Sequence, residues 1–203
     1  DISYIINTDL PWHEFSDKTI LITGANGFLP AYMVETLLNL KKHIGFGPSK
    51  LICLIRNIDA AKKRFAEYKE RKDLEWVIQD VCSPVEIESK IDYIVHAASQ
   101  ASPKYYGIDP VGTLSANVMG TANMLNLAAK NNLKGFLFFS SGEVYGHVDS
   151  SQMPLKENLY GHLDPLDVRS CYAESKRLGE TMCISWMHQY NVPVKIVRIF
   201  GKT

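Results

Sequence analysis

The feature that most limits what this chain can fold into is an alternation of short, almost unbroken apolar runs with longer stretches whose apolar residues recur at helical spacing. Six runs read as strands, at 19–23, 51–55, 74–78, 93–96, 136–140 and 194–199. Most are too continuously apolar for a sheet with one wet face, so both faces must be covered. Helical spacing occupies 31–42, 60–69, 110–131 and 169–189. Such alternation builds βαβ units around a parallel sheet. Right-handed crossovers then favour a doubly wound α/β order, with ligands outside the carboxyl ends of the strands.

Composition narrows the function. With 46% hydrophobic residues in 203, the chain has enough apolar mass for one sizeable core. Lys plus Arg and Asp plus Glu number 22 each, so no net field draws the chain to nucleic acid or to an anionic membrane. An anionic ligand must be held locally. No apolar run approaches the ~20 residues that span a bilayer, and positions 1–9 lack the basic-then-apolar pattern of a signal peptide. The expectation is a cytoplasmic protein with no membrane or nucleic-acid partner. Cys53, Cys82, Cys171 and Cys183 form no C-x-x-C pair, and the six histidines show no paired spacing, so neither disulfides nor a metal site are expected.

Residues 1–17, with Pro11 and Trp12, read as a lead segment packed against a single domain over 18–203. The sequence reaches Gly201-Lys202-Thr203 straight after the last strand, which reads as a fragment lacking a second region to close the ligand cleft.

Two local patterns carry chemistry. Thr23-Gly24-Ala25-Asn26-Gly27-Phe28-Leu29-Pro30 leaves the first strand and opens a helix, where glycines admit a pyrophosphate to the backbone and free helix amides meet its charge. Tyr172 and Lys176 stand four apart on one helical face. A phenol of pKa ~10 is a poor base alone, and a neighbouring ammonium favours its phenolate and makes proton exchange with a hydroxyl feasible. Ser141, at the carboxyl end of the fifth strand, is placed to hydrogen-bond a reacting oxygen, and Glu143 offers a carboxylate for a second proton transfer.

The glycine loop resembles that of the extended short-chain dehydrogenase/reductases, T-G-x-x-G-F-x-G, with Pro30 in place of the third glycine. Adding Ser140-Ser141-Gly142-Glu143-Val144-Tyr145-Gly146, the run from His96 to Pro103, Asn117 to Thr121, and Arg169-Ser170-Cys171-Tyr172, the chain looks most like UDP-glucuronate decarboxylases and nucleotide-sugar 4,6-dehydratases, over about 19–200. The resemblance implies a Rossmann-like fold. It also implies a dinucleotide held by Gly24, Asn26, Gly27, Phe28, Leu29, Arg56, Asp80, Val81, Ala97, Ala98, Ser99, Asn117 and Ser140 with Tyr172 and Lys176. The sugar would meet Ser102, Tyr106, Ser141, Gly142 and Glu143. Gly142 replaces the serine of the decarboxylases and the aspartate of many dehydratases.

The implied cofactor is NAD. Arg56 stands where NAD-preferring members carry an acidic residue, and it suits a 2′-phosphate of NADP, stacking on adenine, or plain solvation. The implied reaction oxidises sugar C4 and then removes carbon dioxide or water through a 4-keto intermediate. A 4-epimerase and a non-catalytic dinucleotide-sensing module are the alternatives. Helices 110–131 and 169–189 carry apolar residues on more than one face, among them Met119, Leu125, Met182, Trp186 and Met187, and the resemblance implies a homodimer through them.

Overall fold

The structure, a computed structural model, describes residues 1–200, so Gly201, Lys202 and Thr203 and the reading made of them lie outside the described residues. Six strands form one sheet: β1 (Thr19–Thr23), β2 (Lys50–Ile55), β3 (Leu74–Ile78), β4 (Tyr93–His96), β5 (Gly135–Ser141) and β6 (Val194–Ile199). Their spatial order is β3-β2-β1-β4-β5-β6, and every neighbouring pair is parallel. The order reverses beside β1. After β3 the chain crosses back to lay β4 on the other side of β1, which opens a crevice at the carboxyl ends of β1 and β4.

Side-chain alternation along the strands makes two cores. Leu21, Ile52, Leu54, Ile94, Phe136 and Phe138 point into one cluster with Met124, Leu125 and Cys183. Their neighbours Ile20, Ile22, Leu51, Cys53 and Val95 point into the other, with Val34, Leu38 and Ala61. The continuous apolar runs thus reflect burial on both faces. Helices α2 (Phe28–Ile44) and α3 (Ile58–Arg64) cover one side, joined by α1 (Ile2–Ile6), while α5 (Pro110–Lys130) and α6 (Cys171–Tyr190) cover the other. A single turn, α4 (Pro103–Tyr106), precedes α5. In residues 1–17, Ile6 is buried and Trp12 and Phe15 pack against the second core.

Helix limits depart from the periodicity where capping decides them. α2 begins at Phe28, not 31, because Gly27 takes an extended φ of −68° and ψ of 171° and starts the helix directly out of the turn. It ends at Gly45, whose φ of 84° suits a residue without a Cβ. α3 is shorter than 60–69: Asn57 caps it by accepting from the Ala60 amide at 2.9 Å, and after Arg64 the chain tightens into a 3-10 turn at Ala66–Tyr68. Arg169 lies in a 3-10 turn, Val168–Ser170, just ahead of α6.

The residues singled out on the two long helices divide. Leu125 is fully buried, Met182 and Trp186 pack against the first core, and only Met119 and Met187 are exposed. The apolar surplus comes instead from Val111, Leu114, Leu178 and Ile184, which are exposed beside them. Among the described residues no helix is long and apolar enough to cross a membrane, and no group of three His, Cys, Asp or Glu is arranged to hold a metal ion. All four cysteines are free.

Candidate active site

The crevice at the switch in strand order is a cleft of about 900 Å³. One end is made by the glycine turn. Gly24 takes a φ of 63°, and a Cβ there would stand 2.9 Å from the Ala98 Cα, so only glycine lets the turn lie against the end of β4. The Gly27 amide closes the turn onto the Gly24 carbonyl at 2.8 Å. α2 then starts with its Phe28 and Leu29 amides outside the helical ladder, and both residues line the cleft. Pro30, in that first turn, is buried, and its missing amide sits where a helix has no partner to lose.

A buried polar chain locks β1 to β4. The Thr23 hydroxyl oxygen accepts from the Ala97 and Ala98 amides at 3.1 and 3.0 Å and lies 2.9 Å from His96 Nδ1. On the far side, His96 Nε2 is 3.1 Å from the Thr121 hydroxyl, which donates to the Asn117 carbonyl. Donor counting assigns one tautomer: Nε2–H donates to Thr121, and Nδ1 accepts from Thr23. A neutral ring is required, and burial pushes His96 down to about 3, with the Lys176 charge adding to the effect. Thr23 and His96 were not among the expected site residues. Their signal was a polar side chain closing each of two otherwise apolar runs.

Arg56 and Asp80, just after β2 and β3, also line the cleft and stand 3.7 Å apart as an exposed ion pair. Asp80 also accepts from the Cys82 amide at 2.8 Å, which with Arg56 holds its carboxyl below the usual range. Asn117 lies outside the lining. It is buried, accepts from Ser99 at 2.7 Å and donates to Ser175 at 2.9 Å, so it pins the Ser99 loop to α6. Ser102, expected at the sugar, is exposed as the residue before α4 and does not line the cleft.

At the other end, β5 delivers Ser140 and Ser141, and the first two turns of α6 deliver Tyr172 and Lys176. The Ser140 hydroxyl is turned away, donating to Glu180 Oε1 at 2.6 Å within an ion pair that Glu180 makes with Arg198. Ser140 therefore offers the cleft only its backbone. Ser141 Oγ accepts from the Glu143 amide at 3.2 Å and keeps its own proton for another acceptor.

Tyr172 lies under Tyr106, ring centroids 4.7 Å apart and planes 12° from parallel. Burial raises its phenol above the ordinary value, and hydroxyls of Ser141, Ser99 and Tyr106 pull against that rise. Lys176 is buried, its Nζ donates to the Phe139 carbonyl at 2.8 Å, and desolvation pushes it down to about 7. From there the Lys176 Nζ also lies over the Tyr172 ring, 5.8 Å from its centre.

Glu143 is not a free carboxylate. Arg169 grips it through two bonds of 2.9 and 3.2 Å. Gly142 has a steric reason: a Cβ there would meet the Phe200 ring at 2.6 Å, and that ring stacks on Tyr145 at 5.9 Å. Neither serine nor aspartate fits unless Phe200 moves.

Residues 20–202 match the family described as NAD dependent epimerase/dehydratase. The chain belongs to that family. Among its relatives, a UDP-glucuronic acid decarboxylase 1 of Danio rerio is 38% identical over 189 residues, covering 93% of this chain and 42% of the relative. UDP-glucuronic acid decarboxylase 6 of Arabidopsis thaliana is 34% identical over 92% of this chain and 51% of its own length. The chain thus spans about half the length of the curated relatives it matches. The fold is shared with a UDP-glucuronic acid 4-epimerase of Bacillus cereus solved with NAD, at a TM-score of 0.72 and 20% identity, over 90% of this chain and 56% of that one. The fold shared with that structure is the doubly wound, Rossmann-like parallel sheet.

Proposed function

We propose that the full-length protein binds NAD in this cleft and converts UDP-glucuronate by oxidation at sugar C4, loss of carbon dioxide and re-reduction. The observation that carries the reading is one cleft holding the glycine turn, Ser141, Tyr172, Lys176 and Glu143 together. Similarity to UDP-glucuronic acid decarboxylases over 93% of the chain supports the substrate.

The residues present fit a dinucleotide. Gly24 leaves no Cβ in the approach to Ala98, and the amides opening α2 suit a pyrophosphate. NAD, when bound, accepts a hydride and later returns it. NADP is the alternative that Arg56 allows, but Arg56 already faces Asp80, which supports NAD.

The chain's own groups divide the chemistry. Tyr172, as its phenolate, takes the proton from the C4 hydroxyl, while Ser141 donates its hydroxyl proton in a hydrogen bond to the same oxygen. Lys176, at about 7, is poised to exchange a proton near neutrality and holds the ribose end of the cleft. The resulting 4-keto group acts as an electron sink for decarboxylation. Glu143 serves that middle step.

A second reading is 4-epimerisation, the activity named for the Bacillus cereus protein that shares this fold. Mass spectrometry after incubating the full-length protein with a nucleotide-sugar panel decides. Loss of carbon dioxide from UDP-glucuronate is expected. A product of unchanged mass and inverted C4 would favour the epimerase, and bound cofactor with no product would favour a dinucleotide-sensing module.

We also propose a cytoplasmic homodimer joined through α5 and α6. The exposed Val111, Leu114, Met119, Leu178, Ile184 and Met187 support a partner there.

A further inference from the structure

Arg169 holds two groups at once. Its fork grips Glu143 at 2.9 and 3.2 Å, and its guanidinium carbon lies 4.6 Å from the centre of the Tyr106 ring. Tyr106 in turn stacks on Tyr172 at 4.7 Å and anchors its own hydroxyl on the Ala101 carbonyl at 3.1 Å. The column therefore runs Glu143, Arg169, Tyr106, Tyr172. Arg169 is placed by the 3-10 turn ahead of α6, where the Asp167 side chain accepts from the Arg169 amide at 2.9 Å.

We infer that Arg169 is a positioning residue for the later step of the reaction proposed above, orienting the Glu143 carboxylate against a platform made by Tyr106 and Tyr172. The inference rests on that functional reading. Its chemistry is specific to arginine: only a planar fork donates two parallel bonds to a carboxylate while lying flat on an aromatic face. A lysine keeps the charge and loses both the second bond and the stack. Because Tyr106 and its hydroxyl anchor hold Tyr172 from the other side, loss of Arg169 disturbs Glu143 more than Tyr172.

Single turnover with UDP-glucuronate on the full-length, NAD-loaded protein separates the steps. Arg169→Ala is expected to reduce its cofactor within roughly threefold of wild type and to release carbon dioxide at least about tenfold more slowly. Added guanidinium chloride, and not methylammonium chloride, restores release. Should Arg169→Ala fail to fold, Arg169→Lys is expected to show the same split. Equal slowing of both steps, no slowing of either, or equal rescue by both cations overturns the inference.

A wild-type protein that never reduces its cofactor would remove the functional reading instead, and a readout free of turnover then decides. Fluorine NMR of 3-fluorotyrosine placed at Tyr106 reads the column directly. Its resonance is expected to move in Arg169→Ala and to return with guanidinium. A resonance indifferent to the loss of Arg169 overturns the positioning role.

Discussion

Gly24 and Ala98 meet backbone to backbone: a Cβ on Gly24 would lie 2.9 Å from the Ala98 Cα and 3.1 Å from its amide nitrogen. This contact brings the phosphate turn against the end of β4 and sets the width of the cleft. Gly24→Ala adds a left-handed φ to a collision with backbone that cannot swing aside. We expect a loss of about 2–4 kcal/mol in urea unfolding and loss of NAD binding in calorimetry. An unchanged unfolding midpoint would show that the β4 end yields and that the contact does not shape the turn.

Tyr172 and Glu143 act at different times in the proposed reaction, so their variants should stop it at different points. Tyr172→Phe keeps the stack on Tyr106 and removes the exchangeable proton, and no reduced cofactor is expected in single turnover. Glu143→Gln retains shape and loses the charge, so the cofactor should still be reduced while a 4-keto sugar accumulates. Absorbance in the reduced-nicotinamide band reports both. Wild-type product formation by Glu143→Gln would take Glu143 out of the mechanism.

Lys176 is a charge kept at a cost in stability. Its folded pKa of about 7 lies below the unfolded value of ~10.4, so the unfolded chain binds more protons between those limits and stability rises with pH across that window. Below about 7 the penalty is fully present. Lys176→Met removes it but abandons the Phe139 carbonyl, a loss of about 1–3 kcal/mol. We expect the variant to match or exceed wild type in urea unfolding at pH 7 and to fall below it toward pH 10. A wild-type advantage that stays constant over this range would mean that Lys176 titrates normally.

Exposed apolar residues on α5 and α6 predict a dimer at micromolar concentration by sedimentation of the full-length protein. Met187→Glu places a charge among them and should shift the protein toward monomer while leaving the fold intact, because the Met187 side chain is already exposed. A wild-type monomer at that concentration would assign this surface to another covering.

What was legible in the amino-acid order is what depends on near neighbours. Strand positions followed from runs such as Ile20-Leu21-Ile22, whose alternate residues had to be buried on opposite faces. The turn at Gly24 and the shared helical face of Tyr172 and Lys176 followed from local stereochemistry. Tertiary structure decided the partners. Glu143 and Arg169 are 26 positions apart, Lys176 and Phe139 37, and Ser140 and Glu180 40. No local period encodes such distances. Each pairing is set where α6 crosses the end of β5, and that crossing comes from burying Phe138 and Cys183 in one core. Met119 and Leu125, six residues apart on α5, lie on different helical faces, and only packing against the sheet decides which of those faces is buried.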